Sequence, residues 1–318
     1  MDRATFLLTF DTELLWGLMG APSTDSHVDA VRYMRREGFA RLLGILDELQ
    51  VPATFALVGH LLVPSDKVGV AESWMADGRV RDRAGEPWYQ AAAKRLTKQR
   101  DGYYWPELVE LLQSADQKHE IASHSLTHCV FDSVHLPAEI AAFEVNRSVE
   151  LIGEAFGRRP TAFVFPRNHP GHFPQLRNAG ISVFRGTDQT WWHRLPGRAG
   201  QIGHMADRLL AWPPPVYPVP LLSEGLTNVP GSMLLLTPLG FRRHIPPSCR
   251  RMQAERGIRA AVQRRGIFHL WTHPIDLGHN QGALLPVLQR ILRRMAEDVA
   301  EGKACFRTMS SVAECGLD

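Results

Sequence analysis

The stretch His119-Glu-Ile-Ala-Ser-His-Ser-Leu-Thr-His128 guides the interpretation of the whole chain. Glu120 to Ser123 has the pattern of a short buried strand, and the strand runs into a loop that carries His124 and His128. Two histidines four residues apart in such a loop can reach one ion, and imidazole suits zinc and its neighbours in the first transition series. The stretch therefore predicts two ligands of a metal site, and a third ligand is expected from a carboxylate elsewhere.

Thr9-Phe-Asp-Thr-Glu-Leu-Leu-Trp-Gly17 supplies the candidate carboxylates, again at the end of a short apolar strand. Two acids after one strand, together with His-x-x-x-His after another, favour a metal site over a helix cap or an isolated surface charge. The metalloprotease pattern His-Glu-x-x-His is not met, because the histidine after His119 comes five residues later and the segment reads as a strand.

Apolar periodicity predicts strands that alternate with helices. Strands are predicted over 5–10, 54–58, 120–123, 161–165, 181–184 and 267–271, and helices over 28–50, 106–115, 136–156, 171–179, 250–265 and 284–299, with a closing segment over 306–312. Such alternation indicates parallel strands joined by helical crossovers, which defines an α/β protein.

The whole chain, 1–318, is expected to form a single catalytic domain with two irregular parts. Residues 60–106 lack a clear pattern and are interpreted as an insertion or lid. The region 186–247 contains Pro213-Pro-Pro215 and several further prolines, so it is predicted to be an irregular passage that walls a pocket.

Composition limits the function further. The chain has 44% hydrophobic residues, a net charge of +3 and four scattered cysteines, so it has enough apolar residues for a core and gives no reason to expect nucleic acid or a disulfide framework. Cys129 is interpreted as a small buried hydrophobe. No signal peptide or membrane span is recognised, and a cytoplasmic location is expected.

The motifs resemble those of the polysaccharide deacetylases of the NodB type (carbohydrate esterase family 4-like). The family opens with Thr-Phe-Asp-Asp and carries His-Ser/Thr-x-x-His, and the chain has Thr9-Phe-Asp-Thr-Glu13 and His124-Ser-Leu-Thr-His128. Ala53-Thr-Phe-Ala-Leu-Val-Gly59 is similar to the second strand of the family. The resemblance implies a distorted (β/α)7–8 barrel of the TIM-like type, with its site at the carboxyl ends of the strands.

The resemblance also implies roles for these residues. Asp11 corresponds to the general base, although it is an alternative metal ligand, and Glu13 takes the ligand position because the second motif position is Thr12. Glu13, His124 and His128 are then the ligands of a divalent metal. Zn²⁺ is the first choice, with Co²⁺, Ni²⁺ or Fe²⁺ as alternatives.

Phe165-Pro-Arg-Asn-His-Pro-Gly171 stands where the family has Arg-x-Pro-Tyr. Arg167 is predicted to form a bidentate pair with Asp11 and keep that carboxylate ionised. The tyrosine of the family motif is missing. A backbone N–H near Asn168 or His169 is expected to take its place in stabilising the oxyanion.

Phe268-His-Leu-Trp-Thr-His-Pro-Ile-Asp276 resembles the last motif of the family. His273 follows a predicted strand and is the expected general acid, with Asp276 tuning its pKa. His269 lies inside the strand and is interpreted as a core histidine. Trp16 is a candidate platform for a sugar ring, as Trp191 and Trp192 are to a lesser extent.

These features predict a metal-dependent hydrolase that removes an N-acyl group from an amino sugar in a polysaccharide, nucleotide-sugar or natural-product pathway. Two alternatives stay open: an allantoinase-like hydrolase of small amides or cyclic ureides, and a catalytically silent carbohydrate-binding relative. The helix predicted over 250–265 carries six arginines and one glutamate. This helix reads first as a solvated face and second as a contact for phosphate or an anionic membrane.

Overall fold

One sheet of ten strands carries the fold in the described part of the chain. The computed structural model describes residues 2–21, 23–63, 79–81, 85–132, 134, 136–218, 220–237 and 239–315. The strands are β1 (Ala4–Thr12), β2 (Thr54–Leu57), β3 (Glu120–Ser123), β4 (Ala162–Val164), β5 (Val183–Arg185), β6 (Leu221–Ser223), β7 (Leu226–Asn228), β8 (Met233–Leu234), β9 (Ile267–Thr272) and β10 (Ala304–Arg307).

The strands follow the order β6-β7-β5-β4-β3-β2-β1-β9-β8, and β10 also pairs with β1. Every pair is parallel except β6 with β7. Helices follow most of the parallel strands, as the handedness and length of parallel crossovers require. The sheet curls into a half-barrel of the distorted (β/α)7–8 type, which confirms the predicted fold class.

The helices are Asp25–Tyr33, Phe39–Glu48, Trp88–Leu96, Leu108–Gln113, Ala138–Phe156, Phe173–Asn178, Gly197–Leu209, Pro247–Arg264, Pro274–Gly282, Leu285–Ala300 and Met309–Cys315. The single helix predicted over 28–50 is interrupted by a π-helical turn, Met34–Gly38. Such a turn adds a residue to the ladder without removing the apolar spacing, so periodicity does not reveal it. No helix in the described ranges is both long and apolar enough to cross a bilayer.

The stretch predicted to be irregular over 186–247 contains the helix Gly197–Leu209 and the strands β6, β7 and β8. That prediction was wrong for the helix because its buried positions are Gly203, Asp207 and Arg208, so it carries no apolar stripe toward the core.

The insertion predicted over 60–106 is only partly visible, because residues 64–78 and 82–84 lie outside the described residues. Its described part contains the helix Trp88–Leu96 and three aromatic residues, Tyr103, Tyr104 and Trp105, which are buried in the main core. This part packs against the barrel as a structural element.

Large and small side chains divide between the two faces of the sheet. Phe6, Phe55 and Phe163 belong to the outer core, beneath the helices. Their strand neighbours Leu7, Ala56 and the other inward residues form a second cluster inside the half-barrel. Because successive side chains of a strand point to opposite faces, alternate positions of each strand reach the interior. Because several inward residues are small, they leave space inside the half-barrel. Met309, Val312 and Ala313 of the last helix fill this space at one end. The full inner cluster is Leu7, Ala56, Ala122, Ala162, Val164, Val183, Tyr217, Val229, Ile267, Met309, Val312 and Ala313.

His269 lies among the inward positions of β9 and is fully buried, as predicted for a core histidine. It shares a hydrogen bond with the Thr9 hydroxyl, and its Nδ1 lies 3.3 Å from the carbonyl of Val229 and 3.2 Å from that of Pro230. Burial, reinforced by the nearby charge of Arg185, lowers the pKa of His269 to about 3. The folded protein therefore holds this ring neutral.

The neutral state of His269 predicts acid sensitivity. Between pH 6.5, its ordinary pKa, and about pH 3, His269 is protonated in the unfolded chain and neutral in the folded chain. The free energy of unfolding therefore falls as the pH falls through this window. Replacing His269 by asparagine should flatten the dependence by up to about 1.4 kcal/mol per pH unit, measured by urea unfolding from pH 7 to pH 4. The exposed His244→Asn serves as the control, and an equal flattening in both variants would contradict the assignment.

Candidate active site

The candidate residues gather at the carboxyl ends of the central strands. Asp11 is the last but one residue of β1, and Glu13 follows the strand. Thr12 stands between them, so both acids take alternate positions and project into the barrel, whereas Thr12 projects away. His124 follows β3 and His273 follows β9, at the same end of the sheet. This placement agrees with the rule that barrel sites form where parallel strands end.

Glu13, His124 and His128 bring one ligand atom each to within 4.8 Å of one another, and all three residues are buried. Oε2 of Glu13 lies 3.1 Å from Nε2 of His124 and 2.6 Å from Nε2 of His128. Burial acts to raise the pKa of Glu13, but His128 and His273 outweigh it and hold that pKa well below its usual range. The carboxylate is therefore ionised.

The donor chemistry of this cluster fits a divalent metal. Nδ1 of His124 lies 2.7 Å from the carbonyl oxygen of Val164, which can only accept, so Nδ1 carries the proton and the lone pair of Nε2 is available to a cation between it and the Glu13 carboxylate. Among the described residues, neither ring nitrogen of His128 has a hydrogen bond of good geometry. Two imidazole nitrogens and one carboxylate converging in a buried space form a donor set that suits zinc and its neighbours.

A glycine makes room for the Glu13 carboxylate. A Cβ at Gly17 would lie 1.8 Å from Oε1 of Glu13, so any side chain at that position would displace the carboxylate. Gly17 belongs to the short 3₁₀ turn Leu14–Leu18, which begins directly after Glu13. The turn thus sets the position of one ligand.

The arginine that pairs with Asp11 is Arg185, and the prediction of Arg167 for this role was wrong. Nη1 and Nη2 of Arg185 donate to the two Asp11 oxygens at 2.6 and 2.5 Å, and both side chains are buried. Burial acts to raise the pKa of Asp11, but Arg185 and His124 lower it below its ordinary value. Arg185 sits at the inward end of β5, opposite β1, and its guanidinium also lies over the Trp271 ring at 4.1 Å.

Arg167 takes a different place. It has a left-handed backbone, with φ at 56°, in the turn after β4, and its guanidinium donates to the carbonyl of Met19. This turn directs the side chain outward along the rim of the cavity, where it is exposed. Asn168, from the same turn, accepts a hydrogen bond from Nη2 of Arg185 at 3.1 Å. It thereby helps to orient the Arg185 guanidinium on Asp11, an ion pair that we call the arginine clamp.

His273 completes the arrangement. Its Nδ1 lies 2.9 Å from Oδ2 of Asp276, and its Nε2 faces the two acids, 3.7 Å from Oε1 of Glu13 and 3.9 Å from Oδ2 of Asp11. Burial opposes a charge on this ring, but the carboxylates of Glu13, Asp276 and Asp11 outweigh it and raise the pKa of His273 to about 10. His273 is therefore a proton donor at neutral pH, held in one orientation by Asp276.

Three predicted substrate contacts, the Trp16 ring and the N–H groups of Asn168 and His169, are not available in this geometry. Trp16 is fully buried, and its Nε1 donates to the carbonyl of Tyr103, so it is a core residue and no sugar platform. The N–H of Asn168 donates to Phe165 at 3.0 Å and that of His169 to Pro166 at 3.2 Å, which occupies both expected oxyanion donors. The 3₁₀ turns after β1 and β4 cause both differences, since each redirects the residues that follow the strand.

Glu144 is a functional candidate that the sequence analysis missed. It is fully buried in the helix Ala138–Phe156 and accepts hydrogen bonds from the N–H groups of Leu126 and Thr127, at 3.0 and 2.9 Å. Its other oxygen accepts from the Thr127 hydroxyl at 2.6 Å and from Tyr89 at 2.7 Å. A single acid inside an otherwise apolar helical stripe is the signal that could have drawn attention to it.

Glu144 anchors the loop that carries the two candidate ligands His124 and His128. Ser125 and His128 have φ values of 63° and 60°, a left-handed backbone that is costly for residues with a side chain. Three hydrogen bonds from Leu126 and Thr127 to Glu144 and the bond from the His128 N–H to Oγ of Ser125, at 2.9 Å, hold the loop in this conformation. The fourth bond, from Tyr89, fixes the Glu144 carboxyl group itself.

The acids and His273 open into a cavity of about 760 Å³. Asp11, Glu13, His128 and His273 lie at its base. Its walls combine aliphatic and polar side chains from the 3₁₀ turns after β1 and β4, the helices Gly197–Leu209 and Pro274–Gly282, and β8 with the chain after it. They include Leu14, Leu18, Met205, Leu234, Leu236, Leu239 and Ile275 together with Arg167, Gln201, His204, Thr237 and Arg242. The region 186–247 therefore contributes directly to the pocket.

Comparison with known proteins agrees with this geometry. A family model described as polysaccharide deacetylase matches residues 2–170, slightly more than half of the chain. The curated proteins contain no match.

Several solved structures share the fold. A putative polysaccharide deacetylase from Mycobacterium smegmatis aligns with a TM-score of 0.62 at 19% identity, covering 100% of this chain and 91% of that one. A probable polysaccharide deacetylase from Pseudomonas aeruginosa PAO1 gives 0.58 at 14% identity, with coverages of 98% and 91%. Puue allantoinase gives 0.57 at 13% identity, with coverages of 98% and 88%. At these identities the likeness shows the fold.

Acids, histidines and a buried ion pair thus meet at the strand ends of a half-barrel, the place where barrel enzymes carry their sites. The match to the family model goes further, and the chain belongs to the polysaccharide deacetylase family, whose expected substrate is an acetylated carbohydrate.

Removing the clamp on Asp11 should destabilise the protein. Arg185→Met leaves a buried carboxylate unpaired, and the free energy of unfolding should fall by about 3–5 kcal/mol, measured by urea denaturation at pH 7. The matched control Arg167→Met removes an exposed arginine, and its effect should stay within about 1 kcal/mol. Equal losses in the two variants would show that Arg185 has no special part in holding Asp11.

The anchoring role of Glu144 predicts a selective loss of metal affinity. Glu144→Leu removes all four acceptor contacts, and zinc affinity, measured by competition with a chelating dye, should fall about 10–100-fold. Glu144→Gln should restore most of it, because the amide oxygen can face the two N–H groups while the two hydroxyls turn to accept from the amide nitrogen. Unchanged zinc affinity in Glu144→Leu, with the fold intact by circular dichroism, would refute this role.

Proposed function

We propose that the protein is a metal-dependent hydrolase that removes an N-acyl group, in the first instance N-acetyl, from an amino sugar. The observation that carries this proposal is the placement of Glu13, His124 and His128 beside Asp11 and His273 at the base of one cavity. The donor triad suits a divalent metal, and the two flanking groups have the charges of a base and an acid.

Glu13, His124 and His128 would hold the metal, with Zn²⁺ as the first choice and Co²⁺, Ni²⁺ or Fe²⁺ as alternatives. When bound there, such an ion would supply Lewis-acid chemistry toward the amide carbonyl and the attacking water. Asp11 is placed to accept a proton from that water, since Arg185 keeps the carboxylate ionised and aimed.

His273 serves as the acid of the proposed reaction. Its Nε2 faces the cavity from the side opposite to its contact with Asp276, and the raised pKa keeps a proton available at neutral pH. Protonation of the departing nitrogen allows the amine to leave, and Asp276 stabilises the ring in the required orientation. The products are a carboxylic acid, acetate in the first instance, and an amino sugar.

The walls of the cavity do not separate the alternatives, since they carry polar side chains such as Arg167, Gln201 and Arg242 beside the aliphatic ones, and these can serve a sugar or a cyclic ureide. The acylated sugar leads because the family model that matches the chain is that of the polysaccharide deacetylases. The binding-protein alternative leaves the buried clamp on Asp11 and the oriented His273 without a purpose. A cytoplasmic intermediate of a surface polysaccharide, nucleotide-sugar or natural-product pathway remains our proposal for the substrate.

Metal content and acetate release test this function together. The wild type should bind about one zinc per chain and release acetate from an N-acetylated amino sugar. In His124→Ala the metal should be lost and turnover should fall on the order of a thousandfold, because the Lewis-acid contribution amounts to several kcal/mol. The exposed His193→Ala, outside the triad, is the control and should retain both.

Each other outcome identifies a competitor. Metal binding without acetate release from any sugar, but with turnover of a small amide, would favour the allantoinase-like alternative. Sugar binding without metal or turnover would favour the silent carbohydrate-binding relative.

A further inference from the structure

An exposed apolar patch lies on the helix Gly197–Leu209 and its flanks. Apolar side chains this exposed, gathered on one segment, mark a contact surface more often than chance exposure. Its members are Ile202, Leu210, Trp212, Leu209, Trp191 and Leu195, with exposed fractions of 70, 62, 53, 45, 41 and 39%. We call this set the interfacial patch.

Three members of the interfacial patch, Trp191, Leu195 and Trp212, gather around one side of the helix. The rings of Trp191 and Trp212 lie 6.3 Å apart, and a Cβ placed at Gly203 would lie 3.1 Å from Leu195 and 3.2 Å from Trp191. The helix buries Gly203, Asp207 and Arg208 against the body of the protein. Ile202 and Leu209, two turns apart, therefore share its outer side.

The surroundings of the patch are strongly basic. Between residues 191 and 260 the sequence contains nine arginines, no lysine and three acids. Arg194, Arg198, Arg242 and Arg243 are exposed. A surface that combines exposed tryptophan and aliphatic side chains with arginines is complementary to anionic phosphate groups above an apolar layer, since indole rings prefer the headgroup level of a bilayer.

The patch adjoins the entrance of the catalytic cavity. The same helix contributes Gln201, His204 and Met205 to the cavity wall, and Arg242 lines the cavity as well. One side of the helix therefore faces the cavity while the other presents the patch to the outside. A molecule held at an apolar surface by the patch has a short path to the acids and His273.

We propose that the interfacial patch docks on an anionic lipid bilayer, and that the substrate is an N-acylated amino sugar attached to a lipid. The second part rests on the proposed function, whereas the first part stands on the patch alone. A second copy of the chain is a poorer occupant, because a symmetric contact through this surface would bring two sets of arginines together.

The basic helix predicted over 250–265 plays a supporting part in this surface. Arg250 is buried and donates to the carbonyls of Leu236, Ile245 and Arg242. Arg256 donates to the carbonyls of Leu210 and Ala211, at 2.8 and 2.6 Å. These two arginines fix the loop beneath the patch, whereas Arg259, Arg264 and Arg265 of the same helix are exposed, so the contact of this helix with phosphate stays a prediction.

Vesicle co-sedimentation of the full, zinc-loaded chain tests the docking. The protein should bind vesicles of phosphatidylcholine with phosphatidylglycerol and bind phosphatidylcholine alone more weakly. The double variant Ile202→Asp/Leu210→Asp should reduce binding by about tenfold or more, because two apolar contacts are replaced by charges of the wrong sign. Arg194→Glu/Arg198→Glu should reduce binding to anionic vesicles by at least about fivefold per arginine.

Val134→Asp is the matched control, since Val134 is 83% exposed on the loop that follows the histidine ligands. It should bind vesicles as the wild type does. No binding of the wild type to anionic vesicles, or an equal loss in the control, would overturn the proposal. A concentration-dependent dimer that disappears in Ile202→Asp/Leu210→Asp, without vesicle binding, would assign the patch to self-association instead.

The two proposals fail separately. The patch variants should retain zinc and should release acetate from a water-soluble N-acetylated sugar at the wild-type rate, because the patch lies outside the catalytic groups. Vesicle binding without any deacylation would refute the proposed function and leave the docking intact. Deacylation without vesicle binding would do the reverse.

Discussion

The ion pair between Arg185 and Asp11 is the constraint on which the rest of the site depends. It joins β5 to β1 across the inside of the half-barrel, and both partners are buried. A buried carboxylate is tolerated only when a partner of opposite charge and further hydrogen bonds compensate its lost hydration. Arg185 meets that need with two parallel hydrogen bonds, a bond to Asn168 and the face of Trp271.

The same pair organises the charges around it. Because Arg185 compensates the charge of Asp11, the Glu13 carboxylate has His124 and His128 as its own partners. The protonated His273 ring lies between these two acids on one side and Asp276 on the other. Each acid thus has its own partner, although all lie within one small space. This separation keeps a ligand set, a base and an acid distinct within a few ångströms, because coupled groups would otherwise share their protons.

Strands and strand-end residues that depend on local apolar patterns could be predicted from the sequence. β3 occupies the predicted residues, and Asp11, Glu13, His124 and His273 follow or end apolar runs that are recognisable without a structure. Buried parallel strands read as such runs because both of their faces are covered.

Arg185 could not be found in this way. The strand β5 extends one residue beyond its apolar run, and only the curvature of the sheet brings that residue opposite Asp11. The prediction that Trp16 stacks on a sugar ring was wrong for a related reason, since the turn after Glu13 rotates this side chain into the core. Glu144 and the helix Gly197–Leu209 owe their positions to polar contacts, which apolar periodicity does not report.

The pairing of β1 sets the order in which the molecule can be completed. One side of β1 bonds to β9, and the other side bonds to β2 along its second half and to β10 along its first. β2 and β3 are close in the chain, whereas β9 and β10 are made last, so loop closure over most of the chain must precede the final registration. During synthesis on the ribosome, a nascent chain can therefore gather Glu13, His124 and His128 long before His273 is made. The half of the centre with the three candidate metal ligands is made first, and the half with His273 arrives only when the last strands close over the first.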